Sequence, residues 1–122
     1  MATNFSQEGA SLEWTNGTGA AVSAGDVVKV GAQIGIAATD IANGATGTVY
    51  MEGVFEVPKV SAAVIGQGQS VIWDTSAGAF DDDQATPAAG DVSGACTAWE
   101  AAGATVTTIK VKLNTGVGTV AS

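Results

Sequence analysis

The sequence predicts an all-β fold: a small antiparallel β-barrel or sandwich with short loops and little helix. Three observations predict it. Apolar residues alternate at period two in several short runs. Seventeen glycines and only two prolines punctuate a chain of 122 residues, which suits tight turns. The runs recur at intervals of roughly 8–12 residues with turn signals between them, the spacing of a sandwich or barrel. No stretch combines helix caps with a 3.6-residue pattern, and no internal repeat is present. The length is that of one domain and buries roughly two thirds of the unfolded surface, enough for a core without staples.

Residues 1–10 are polar around one aromatic, Phe5, and read as a flexible N-terminal arm, either a frayed terminus or a segment that orders on a partner. A single β domain is expected over 11–114. In Ser11–Thr15, Leu12 and Trp14 share one face of a first strand. Asn16-Gly17-Thr18-Gly19 is a turn. Asn16-Gly17-Thr18 also matches a glycosylation sequon. The organising stretch runs from Gly25 to Lys59 and reads as an antiparallel strand pair. In its first half Val28, Val30, Ala32, Ile34 and Ile36 have one parity. In its second half Val49, Met51, Phe55 and Val57 point to the core, and Tyr50, Glu52, Val54 and Glu56 point out. Pro58 stops the ladder because it has no N–H to donate.

Val60–Ile65 is too short for its period to decide between a helical turn and a strand. Val71–Asp74 reads as a strand, Thr75–Gly78 as a tight turn, and Ala79-Phe80 as the start of the return. Asp81–Pro87 reads as a polar loop and Ser93–Trp99 as a buried strand. Thr105–Leu113 is a clear strand with Ile109, Val111 and Leu113 inward and Lys110 and Lys112 outward. Residues 115–122 are Gly- and Thr-rich and are expected to be loose.

Composition excludes several functions. The net charge is −8, with no histidine and four basic residues, all lysines: Lys29, Lys59, Lys110 and Lys112. A nucleic-acid groove needs clustered cations to neutralise phosphates, so direct DNA or RNA binding is not expected. No apolar run approaches the roughly 18 residues that cross a membrane. The first residues lack a basic and an apolar signal-peptide region, so the chain is expected to be made in a cytoplasm and to stay soluble. Cys96 is alone and makes no internal disulfide; its apolar neighbours mark it as a small core residue.

No constellation for chemistry emerges, and the chain is not expected to be an enzyme. Ser–His–Asp and Cys–His sites need a histidine. A zinc site would have one cysteine and carboxylates only. Counted from Asp81 as a calcium loop, the sixth place is Thr86 and the twelfth Val92, where glycine and glutamate belong. The Gly-x-Gly pairs at Gly17, Gly66 and Gly116 lack a third glycine opening a helix. Glu52 and Glu56 lie two pleats apart, roughly 13 Å between Cα atoms, wide for a glycosidase pair. Pairing with Lys29, Lys110 or Lys112 across neighbouring strands suits them better. No metal, cofactor or catalytic residue is assigned. Of Trp14, Trp73 and Trp99, one or two belong in the core, and Trp14, nearest the arm, is the favoured contact residue.

Several stretches resemble a family of small capsid cement, or decoration, proteins of tailed phages and prophages, long catalogued as a domain of unknown function. They are Asn4-Phe5 to Gly9, Ser23–Val28, Gly31–Ala37 with Asp40-Ile41, Gly53-Val54-Phe55-Glu56-Val57-Pro58-Lys59, Val71–Asp74 and Thr108–Asn114. The resemblance covers about residues 4–114, and Gly53–Lys59 is its most specific piece. The sequence departs from the family pattern after Asn114 and at Asp81–Ala89. The resemblance implies a virion protein on the outer surface of an expanded icosahedral head, bridging major capsid proteins. It implies a homo-oligomer, a trimer first and a dimer next, since such proteins commonly occupy three-fold sites. Phe5, Trp14, Tyr50, Glu52, Val54 and Glu56 are the expected interface residues. The main alternative is a carbohydrate-binding or host-adhesion β module displayed on a virion, favoured by exposed aromatics on a Gly/Thr/Ser surface. A carboxylate enzyme such as a small glycosidase is the third.

Overall fold

A computed structural model describes residues 9–122; Phe5, in the expected arm, lies outside them. Ten strands follow one another among the described residues: β1 Ser11–Thr15, β2 Val27–Val30, β3 Gln33–Ala37, β4 Thr46–Tyr50, β5 Val54–Pro58, β6 Ser70–Asp74, β7 Ala79–Asp82, β8 Val92–Ala98, β9 Thr108–Lys112 and β10 Thr119–Val120. No helix occurs among the described residues. The strands form two antiparallel sheets, β1-β4-β3-β2 and β5-β9-β8-β6-β7, with β10 paired to β8. The all-β expectation holds, in its sandwich form. The second sheet curls until its edges touch at one parallel bridge, Lys59 to Phe80, which is too little to close a barrel.

The stretch Gly25–Lys59 holds four strands rather than one pair. β2 turns back into β3 through Gly31-Ala32, with Val30 opposite Gln33 and Val28 opposite Gly35. That reversal resets the side-chain parity. Ile34 and Ile36 face the main core, whereas Val28 and Val30 face a second one. The chain then leaves the first sheet after Tyr50 and enters the second at Val54. Gly53, at φ +116, makes that exit in a region that side-chain-bearing residues rarely adopt. Val49 and Met51 therefore serve the second core, and Val57, with the half-buried Phe55, the main one.

The main core lies between the sheets and within the curl of the second. It gathers Ile34 and Ile36 with Val57, Val71, Phe80 and Val111, among others. Trp73 packs edge-on against Phe80, ring centroids 5.0 Å apart, a favourable aromatic geometry. The second core covers the other face of the first sheet. There Val28, Ala37, Val49 and Met51, flanked by Leu12 and Trp14, are capped by Val22 and Ile41. The backbones of Val22 and Ile41 bridge each other, so two loops form one lid.

Asn16 fastens this lid and is fully buried. Its Nδ2 donates to the carbonyls of Ala20 (2.8 Å) and Ile41 (3.0 Å). Its Oδ1 accepts from the Thr18 N–H (3.0 Å) and hydroxyl (2.7 Å). The amide of the sequon match is thus consumed in holding the fold. Asn114 joins the two sheets in a similar way. Its Oδ1 accepts from the Ile34 N–H, and its Nδ2 donates to the carbonyls of Ile34 (2.8 Å) and Met51 (2.7 Å). Its backbone is left-handed at φ +53, a conformation asparagine tolerates better than most residues.

Other elements differ from expectation in instructive ways. Asp81 and Asp82 belong to β7, so only the rest of Asp81–Pro87 is loop. Val60–Ile65 is neither helix nor strand; Ile65 makes one bridge to Ala102. The last inward strand starts at Thr108 rather than Thr105, because Thr105 turns left-handed (φ +74) and donates its N–H to Ser61 O at 2.7 Å. The C-terminal tail is held, not loose. β10 lies on the same edge of β8 as β9, pairing Thr119 with Ser93 and Val120 with Val92, and Ala121 exchanges backbone bonds with Gly90 and Asp91. Gly118 fits this tail against the first sheet: a Cβ there would lie 2.3 Å from Ala32 O and 2.6 Å from Val92 Cγ1. Gly118→Ala is expected to cost about 2 kcal/mol, as overpacking does. It should also speed hydrogen exchange at Gly90 and Ala121 ahead of the β6 and β8 amides.

Candidate functional site

The described surface offers no concentration of reactive groups. No cluster of three or more Cys, Asp or Glu side chains among the described residues could hold a metal. Cys96 is buried, and burial pushes its thiol up to about 11 from an ordinary 9.0, while a backbone hydrogen bond from Asn114 offsets part of the rise. It is a poor nucleophile. A raised thiol pKa also ties stability to pH. The contribution is fully present below pH 9 and is lost as pH rises through about 11. Wild type should lose about 2–3 kcal/mol across that window that Cys96→Ala does not lose, as urea titrations at stepped pH would show. Asp74 is shifted the other way, below the usual carboxylate range, by hydrogen bonds from the Ala77 N–H first and from Ser76 second. Those contacts close the β6–β7 turn.

The lysines have distinct places. Lys59 is buried, and its ammonium donates to the carbonyls of Val60, Ser61 and Ala63. It is a structural clamp on the loop after β5, which sequence reasoning did not anticipate. Lys29 donates to Gly90 O at 2.9 Å, linking β2 to the segment before β8. Lys110 pairs with Glu100 at 3.5 Å. Lys112 sits 6.0 Å from the centre of the Trp99 ring, at the outer limit of cation–π attraction. The expected carboxylate partners thus need correction. Glu56 lies opposite Lys110 in register, yet the ion pair among the described residues is made by Glu100.

The expected contact residues divide. Tyr50, Glu52, Val54 and Glu56 are all exposed, Tyr50 by 44% and Val54 by 39%. They do not form one strip, because the strand that would align them is broken at Gly53. Tyr50 ends the first sheet and stacks on Phe55, centroids 5.8 Å apart. Val54 and Glu56 open the outer face of the second sheet beside Lys112 and Lys110. Trp14 is half-buried against the second core.

Trp99 is the exposed tryptophan, at 50%, and the sequence reading placed it in a buried strand. Its parity held the signal: Cys96 and Ala98 point in, so Thr97 and Trp99 point out. The ring borders a shallow depression with Gln67, Thr97, Glu100 and Lys112. A separate groove of about 400 Å³ runs beside β2, lined by Val27, Val28, Pro58, Trp73 and Thr75. Half-exposed aromatics and apolar grooves on a compact sandwich are features of a protein that docks against others.

Fold and surface thus define a class: a small all-β domain whose prominent exposed features are apolar and aromatic contacts. A phage cement protein family model matches residues 6–113. The chain belongs to the phage cement protein family, as the resemblance implied. Membership carries a structural role at the phage capsid and a place in the virion. A comparison with curated proteins gives no match. No helix among the described residues is long and apolar enough to cross a membrane.

Proposed function

We propose that this protein decorates the outer surface of an expanded icosahedral head and stabilises it by bridging neighbouring major capsid proteins, without catalysis. The family match over residues 6–113 carries the reading. The surface supports it: sparse charge, exposed Tyr50, Val54 and Trp99, and a fold tied by buried polar pins. Repeated modest contacts, many per shell, would add through avidity. A homotrimer at three-fold sites suits this role best, with a dimer next. Residues 1–10, with Phe5, would act as an arm, and Trp14, Tyr50, Glu52, Val54 and Glu56 would contribute to contacts with capsid or subunit. No direct nucleic-acid contact and no cofactor enter the proposal.

The test is to mix purified protein with expanded heads that lack it. Co-sedimentation and a rise in the temperature at which heads release DNA are expected. Heads that neither bind the protein nor gain heat resistance would overturn the proposal.

A further inference from the structure

Two features sit at opposite ends of the second sheet. Trp99 follows the last residue of β8. Trp73, at the floor of the apolar groove, lies opposite Val92 at the first. Trp99 lies seven positions beyond Val92 in sequence, so about 20 Å of strand lies between knob and groove. One is a projecting indole, half exposed and held at its base by its own N–H to Lys110 O and by Gln67 donating to its carbonyl. The other is an open groove with Trp73 beneath and the exposed ring of Pro58 on its rim.

Their charged flanks are complementary. Lys112 and Glu100 stand beside Trp99. Asp26 and Lys29 stand beside the groove, with Asp26 exposed. Glu100 is paired with Lys110 and Lys29 donates to Gly90 O, so the complement across a contact is Lys112 on one side and the exposed Asp26 on the other, in a chain with only four lysines.

We infer that Trp99 of one copy seats in the groove between β2 and Pro58 of a second copy, with Lys112 facing Asp26 across the contact. The occupant is this chain itself, because an apolar knob flanked by an ammonium and an apolar groove flanked by a carboxylate occur in one molecule. Two different patches meeting make a heterologous contact, which propagates head to tail and closes into a ring when the rotation allows. A trimer is such a ring, so the inference deepens the homo-oligomer in the proposed function and rests on it. Tryptophan is enriched among interface hot spots, which cluster in well-packed, desolvated pockets.

Exposed positions make the contact testable by crosslinking. The double variant Gln67→Cys/Pro58→Cys, which keeps the Trp99 indole and places one thiol beside it and the other on the groove rim, should give covalent oligomers on a denaturing gel when treated with a short bismaleimide. Each single variant should stay monomeric, since Cys96 is buried. Lys112→Glu, judged folded by circular dichroism, should weaken self-association about tenfold in sedimentation velocity. Self-crosslinking of Gln67→Cys alone would show a two-fold contact and overturn the inference. So would a double variant that stays monomeric at high concentration and on heads, or association unchanged by Lys112→Glu. If wild type decorates heads while these crosslinks fail, this inference falls and the capsid role stands. If wild type does not bind heads, the capsid role falls whatever the crosslinks show.

Discussion

Lys59→Ala is expected to lose about 3 kcal/mol or more, lowering Tm by roughly 10 °C for a domain of this size. Lys59 ends the Gly53–Lys59 segment, and its side chain is almost wholly out of solvent. A buried ammonium is tolerable only when fully hydrogen-bonded. Here the carbonyls of Val60, Ser61 and Ala63 supply the acceptors. Alanine removes the donor, strands those carbonyls and leaves a cavity. The loop released is the one that carries buried Ala63 and Ile65 over the main core, next to the Lys59–Phe80 bridge. Lys59→Met keeps the packing of the stem and loses only the hydrogen bonds, so it should fall between wild type and alanine. Urea titration of the three proteins measures the order. A Lys59→Ala midpoint equal to wild type would show that the carbonyls find other partners.

Asn16→Ala is expected to cost about 2–4 kcal/mol, because four hydrogen bonds converge on one buried amide and its partners lose them together. The damage should be local first. Val22 and Ile41 form the lid on the second core, and Asn16 holds the Ile41 carbonyl. Hydrogen exchange at the Val22 and Ile41 amides should accelerate well before that at β6 and β8. Asn16→Asp keeps the acceptor for Thr18 but cannot donate, and it buries a charge; it should be at least as destabilising. Uniform acceleration across both sheets would mean that the lid does not open independently.

Much of the fold was legible because period-two patterning is local. β1 was read at its observed bounds, β6 to within one residue, and β9 with the correct inward set of Ile109, Val111 and Leu113. What escaped depends on tertiary facts that a period does not encode. The first sheet is buried on both faces, so Gly35, Ile36 and Ala37 are all interior and alternation disappears from the pattern. The β2–β3 hairpin turns on Gly31-Ala32, too short a signal to outweigh a continuous run of matching parity. The tail looked loose by composition, yet its small residues are what let it pack: Gly118 approaches Ala32 closely enough to exclude any side chain. Nothing in the local pattern marks Lys59 as buried; only the carbonyls that converge on it reveal its place.

The candidate surface was legible in part. Exposure of Tyr50, Glu52, Val54 and Glu56 follows from alternation, and alternation survives the break at Gly53 even though the shared strand does not. Trp99 escapes a reading of Ser93–Trp99 as one buried strand, because it lies just past the last residue of β8, on the outward parity. Its exposure, and the groove at the other end of the sheet, depend on which strands end where.

Electron cryomicroscopy of expanded heads, with and without the protein, tests the capsid role most directly. The difference map should show compact β-sandwich density on the outer shell, each copy touching more than one major capsid subunit. Difference density inside the shell, copies that each touch a single capsid subunit, or no added density at saturating protein would contradict it.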